Sequence, residues 1–148
     1  MKTLYETDIV LWLEEQVKLL RDRKFEELDM DHLLEEIEDL GNQRDTIERL
    51  WALTMMHMLK WKYQPDRRCN SWKSSIKGHA KHAARRFFKT PTNKRHVEEF
   101  FQDAYEEAKL EAANETFLDL SSFPIECEWS YQQLLDEKFI EDFLKEMD

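Results

Sequence analysis

Glycine and proline are nearly missing from this chain, with two and three in 148 residues. Tight turns and strand ends therefore lack their usual residues, which favours helices joined by short polar loops and excludes a glycine-rich phosphate loop. Cysteine is equally scarce. Cys69 and Cys127 stand far apart with no CxxC pair or Cys/His ladder, which argues against a disulfide framework or a zinc knuckle and leaves two reduced thiols as the expectation. No run of about 18 apolar residues occurs, and the early segment carries Glu6, Asp8, Glu14 and Glu15. Neither a membrane span nor a signal peptide fits, so a cytoplasmic protein is expected.

What is present is charge and a sizeable apolar fraction. Hydrophobic residues make up 41% and aromatic residues 12%, enough for one core, and residues 1–148 read as a single α-helical domain. Charged residues make up 36%, with a net charge of −10. That total hides an asymmetry. Residues 60–96 hold twelve Lys and Arg against one acid, Asp66, whereas the remainder holds 10 basic and 31 acidic residues. An acidic frame thus surrounds a basic middle, which either binds an outside polyanion or meets the protein's own acidic surface.

Apolar periodicity predicts an all-α bundle of five to six helices around a buried central one. The first runs from about Asp8 to Arg23 behind a Thr7-Asp8 cap, with Ile9, Trp12, Leu13, Gln16, Val17 and Leu20 on one face. A second begins near Asp29 or Asp31, turns Leu33, Leu34, Ile37 and Leu40 inward, and meets Gly41, a stop or a kink. The third, about Asn42 to Tyr63, is apolar nearly all round between Leu50 and Trp61, the mark of an enclosed helix, and Gln64-Pro65 breaks it.

The fourth helix runs from an Asn70 or Ser71 cap to about Lys89, before Thr90-Pro91. At 100° per residue Trp72, Ile76, Ala80, Ala83 and Phe87 share one arc, while Lys73, Lys77, Lys81, Arg85 and Lys89 fan across the other half. The fifth spans about Thr92 to Thr116. Ser130-x-x-Gln133 is a capping box for a last stretch, divided near Asp136.

Chemistry is sparser. His32, Glu36 and Asp39 fall at i, i+4 and i+7, and a facing His57 would complete a two-histidine, two-carboxylate divalent-metal site; no metal is expected, with Glu36, Asp39 and His57 as the weak candidates. Glu36 and His57 are also the catalytic candidates, although a structural Glu36–His57 hydrogen bond between two helices is the favoured reading. Ser71, Ser74 and Ser75 read as a cap and helix surface, and neither cysteine has an activating motif. Arg67, Arg68, Lys73, Lys77, Lys81 and Arg85 form the candidate anion-binding set. With Trp61, Tyr63, Trp72, Phe87 and Phe88 among them they suggest a nucleic-acid surface, but Trp72 and Phe87 point inward and the net charge is negative.

The segments "LYETDIVLWLEEQ", "LLEEIEDLG", "HMLKWKYQPDRR", "SWKSSI" and "FPIEC" occur in an order and at spacings that resemble the bacterial domain-of-unknown-function family 29, from Leu4 to about Leu135. The resemblance implies one α-helical domain of about this length and supplies no reaction. The family pattern matches at Glu35, Glu36, Glu38 and Gly41, at His57, Leu59, Lys60 and Trp61, and at Pro65, Arg67 and Arg68. It matches again at Ser71, Trp72 and Ile76, and at Pro124 and Cys127. His32 is outside it, and Gly78-His79 replaces the family's Gln-Arg.

The favoured expectation is a regulatory or interaction protein without catalysis, antitoxin-like in manner, with another protein as partner, no cofactor and no membrane. Two alternatives stand beside it. One is a metal- or carboxylate/histidine-dependent enzyme using Glu35, Glu36, Asp39 and His57, with Arg67 and Arg68 on an anionic substrate. The other is nucleic-acid binding through residues 71–89.

Overall fold

The structure, a computed structural model, describes residues 2–89 and 94–146. The described residues form eight α-helices and no strand. The contacts divide the chain into two compact units, Met1–Asn42 and Gln43–Asp148. None of the described helices is long and apolar enough to cross a membrane.

The first unit holds α1 (Leu4–Thr7), α2 (Ile9–Arg21) and α3 (Met30–Gly41). Asp8 separates α1 from α2 and caps α2, its carboxylate accepting from the Leu11 amide at 3.1 Å. The chain leaves α2 through Arg23, held at φ 58° while Lys24 N bonds back to Leu19 O at 2.9 Å. A glycine commonly takes this left-handed position, and a chain so poor in glycine fills it with arginine. α3 stops at Gly41, so this glycine ends a helix.

The apolar faces expected to pack are not used up inside this unit. Among its described residues only Trp12 and Gln16 are buried, whereas Leu13 is 42% and Ile37 61% exposed, with Ile9, Val17, Leu20, Leu34 and Leu40 also exposed. The reason is geometric. The polar and aromatic ends of Trp12, Gln16, Asp29 and His32 make the junction between α2 and α3, and a 42-residue stretch is too small to bury an apolar face as well.

The second unit is built on α4 (Gln43–Tyr63), flanked by α5 (Asn70–Lys89) and α6 (Val97–Thr116). α4 contributes Ile47, Leu50, Trp51, Met55, Met58 and Leu59 to the core, and Trp51 stacks on Phe100 at 5.5 Å and meets Phe101 edge-on at 5.3 Å. α5 buries Ile76, Ala80, Ala83 and Phe87, the arc its periodicity predicts. α6 buries Val97, Phe101, Ala104, Ala108 and Ala112, and the three alanines let two helices approach closely. α6 begins five residues later than expected. Residues 94–96 turn before it, and the remainder of the expected first turn lies outside the described residues.

After α6 the chain turns at Phe117, also left-handed at φ 60°. The following loop is pinned by buried donors: Tyr105 Oη donates to Pro124 O at 2.7 Å, and Lys109 Nζ to Ile125 O at 3.2 Å. The Ser130 capping box forms as read from the sequence, with Gln133 N donating to Ser130 Oγ at 3.2 Å and Ser130 N to Gln133 Oε1 at 3.0 Å. It opens α7 (Tyr131–Leu135), and Asp136 separates this from α8 (Glu137–Glu146). The short α1 and the divided tail raise the helix count above five or six.

Candidate functional site

α5 carries its two faces as the sequence predicts. Ile76, Ala80, Ala83 and Phe87 hold the helix on α4, and this fixes the direction of the opposite side. From that side Lys73, Lys77, Lys81 and Arg85 all reach solvent. None of the four makes an ion pair or side-chain hydrogen bond among the described residues. Asn70 is the first helical residue rather than the cap, so Ser71, Ser74 and Ser75 fall within the opening turns.

The cations at the end of α4 behave differently. Lys60 is 8% exposed, donates to Glu115 Oε2 at 2.6 Å and lies 4.6 Å from the centre of the Trp72 ring. Arg68 donates from Nε to Trp61 O at 2.7 Å and covers the Trp61 ring at 4.9 Å, so it satisfies a carbonyl in the last turn of α4. Of the expected arginine pair, Arg67 is exposed, in the 3-10 turn Pro65–Arg67, and Arg68 is half-buried. The aromatic residues follow the same division. Trp61 and Phe87 are buried, Tyr63 and Trp72 half-buried, and Phe88 alone of the five is exposed. A base-stacking platform is therefore not assembled around α5.

His57 folds back on its own helix. Its Nδ1 lies 2.9 Å from Leu53 O, and since a carbonyl only accepts, Nδ1 carries the proton. Burial lowers the tendency of the ring to protonate, and nearby Lys60 and His79 act in the same sense. The result is a neutral imidazole 6.3 Å from the His79 ring.

Glu36 belongs to the first unit and is engaged there. Tyr5 Oη donates to its Oε1 at 2.5 Å, and that bond is the main reason the Tyr5 phenol is pushed up to about 12. Tyr5 also lies flat on His32, ring centres 3.9 Å apart, and meets Trp12 edge-on at 4.8 Å. His32 and Trp12 converge on Asp29, at 2.7 Å and 3.0 Å. Each of Glu36 and His57 thus has a hydrogen-bond partner within its own unit, and neither needs the other to be satisfied. Among the described residues, no group of three or more His, Cys, Asp or Glu is placed to hold a metal ion. Asp39 sits exposed near the end of α3.

Sequence reasoning missed the Tyr5–His32–Asp29–Trp12 cluster. Its signal is faint, because the break at Asp8 removes the helical phase that would relate Tyr5 to Trp12. It also missed why "FPIEC" is distinctive: Pro124 and Ile125 offer the carbonyls taken by Tyr105 and Lys109, and Cys127 Sγ rests 3.7 Å from Met55 Sδ. The available signal was the i, i+4 spacing of Tyr105 and Lys109, beside the apolar arc of α6.

Residues 4–140 match the family described as "Domain of unknown function DUF29", and the chain belongs to it. No curated protein and no solved structure matches.

Proposed function

We propose that this DUF29 protein is a non-catalytic interaction protein, and that it docks an acidic surface of a partner protein on the cationic face of α5. One observation carries the reading: Lys73, Lys77, Lys81 and Arg85 stand in solvent without ion pairs among the described residues, in a chain with 31 acids outside residues 60–96. Like charges at i, i+4 on a helix oppose it by about 0.2–0.5 kcal/mol per pair. A partner carboxylate row relieves that repulsion, and charge complementarity of this kind contributes chiefly to specificity and encounter rate. The packed α4–α6 core supplies a stiff base for such a face. An antitoxin-like regulator, which covers an acidic target, is one form of the proposal, and a bacterial cytoplasm is its setting. An acidic protein is favoured over nucleic acid because four of the five aromatic residues near α5 are buried or half-buried, which leaves Phe88 alone exposed for stacking on bases.

The test is affinity capture from source-organism lysate with the full chain and with a variant carrying Lys73→Glu, Lys77→Glu, Lys81→Glu and Arg85→Glu. An acidic protein held by the natural chain, released by salt and lost from the variant supports the proposal. Identical captured sets for the two, or capture of nucleic acid alone, refutes it.

A further inference from the structure

A second feature of the same unit lies between α5 and the α7–α8 elbow. There a groove of about 350 Å³ opens, at the small end of the range for small-molecule sites. Its floor is apolar, made by Ala80, Leu134 and Ile140, all buried, with Ala84 half-buried beside them. Its sides are charged with opposite sign. Lys77 and Lys81 line it from α5, one turn apart, and Glu137 and Glu141 line it from α8, also one turn apart.

These two rows do not close on each other: no Lys–Glu pair among the four comes within ion-pair distance. Elsewhere in the unit such pairs do close, as Arg49 does with Glu107 and Glu111, Lys60 with Glu115, and Lys62 with Glu128. The elbow helps keep the gap. Asp136 ends α7 in extended geometry and caps the start of α8, its carboxylate accepting from Lys138 N at 3.0 Å. Gly78 lies on the cationic edge, and a Cβ there would meet nothing within 4 Å, so the rim is open at that point.

We propose that this groove binds an extended zwitterion with an apolar body, of dipeptide size. Its carboxylate is taken by Lys77 and Lys81, its ammonium by Glu137 and Glu141, and its side chains by the alanine–leucine–isoleucine floor. The two rows face each other across the apolar floor, and a dipeptide carries its carboxylate and ammonium at opposite ends of an apolar body, whereas a free α-amino acid carries both on one carbon. The inference goes beyond the docking proposal, since Lys73 and Arg85 are not part of the groove.

Calorimetric titration of the full chain with leucyl-leucine tests it. Saturable one-to-one binding is expected, weaker by about tenfold or more for N-acetyl-leucyl-leucine amide and for a Glu137→Gln, Glu141→Gln variant. Gly78→Leu, at a site open enough to preserve folding, should block the groove and abolish binding. Lys73→Glu with Arg85→Glu should leave dipeptide affinity unchanged while weakening partner capture, which separates failure of one proposal from failure of the other. No saturable binding, equal affinity for the uncharged analogue, or affinity indifferent to the glutamine variant overturns the inference.

Discussion

His32 lies 2.7 Å from the Asp29 carboxylate through Nδ1 while its ring face rests on Tyr5. The same Asp29 oxygen accepts from Trp12 Nε1, and the Asp29 amide donates to Gln16 Oε1 at 2.8 Å. One residue at the start of α3 therefore ties down both buried side chains of α2. In a unit that leaves most of its apolar side chains exposed, this polar hub is the specific contact between the two helices.

The hub makes the first unit sensitive to pH. The bond to Asp29 raises the His32 imidazole above its usual 6.5, and the bond to His32 lowers the Asp29 carboxyl below its usual 3.8. A raised folded-state value stabilises fully below 6.5 and fades as pH rises through that raised value. A lowered one stabilises above 3.8 and fades as pH falls through the lowered value. Maximum stability of residues 1–42 is expected between about pH 4 and 6.5. Trp12-reporting thermal melts across pH 3–9 measure this. His32→Asn should flatten the alkaline limb, and an unchanged limb in that variant would rule out His32 as its source.

The two cysteines should differ sharply in reactivity. Cys69 is exposed, whereas burial beside Met55 pushes the Cys127 thiol up to about 11. The thiolate is the nucleophile, and each unit of separation between pH and pKa costs about a factor of ten in its population. At pH 8 iodoacetamide should label Cys69 quickly and Cys127 at least about a hundredfold more slowly, until denaturant is added. Peptide mass spectrometry follows both sites in one sample. Comparable rates in the folded protein would show that the "FPIEC" loop is not held down as Tyr105 and Lys109 hold it here.

Helices were legible in the sequence wherever one face is continuous and a break is chemically marked. α5, with its Ile76–Ala80–Ala83–Phe87 arc, ends as predicted and starts one or two residues earlier, at Asn70 itself, and the Ser130 capping box fixes the start of α7. α4 was recognisable from its all-round apolar stretch. Side-chain partnerships were not legible to the same degree. Nothing in the spacing of Glu36 and His57 reveals that a tyrosine 31 residues earlier takes the first, or that the second bonds its own helix. The same limit applied to Arg68, whose guanidinium serves the carbonyl of Trp61 because Pro65 ends α4 close by. Lys73, Lys77, Lys81 and Arg85 are exposed on α5, as the helical periodicity predicts, whereas Arg68 is half-buried and engaged with Trp61.

Glycine scarcity has a measurable cost at one helix end. Phe117 sits at φ 60° after α6 and is 95% exposed, so an aromatic side chain holds a left-handed position without packing to offset it. The left-handed conformation disfavours a non-glycine residue by about 1–2 kcal/mol. Gly78 presents the inverse case, a glycine inside α5 where a Cβ would meet open space. Phe117→Gly should raise unfolding stability by about 1 kcal/mol, and Gly78→Ala by about 0.5–1 kcal/mol. In urea titrations both should move the midpoint upward at constant slope. A lower midpoint for Phe117→Gly would mean that the ring makes a stabilising contact in solution, whereas a neutral Gly78→Ala would mean that the helix is already relaxed at that position.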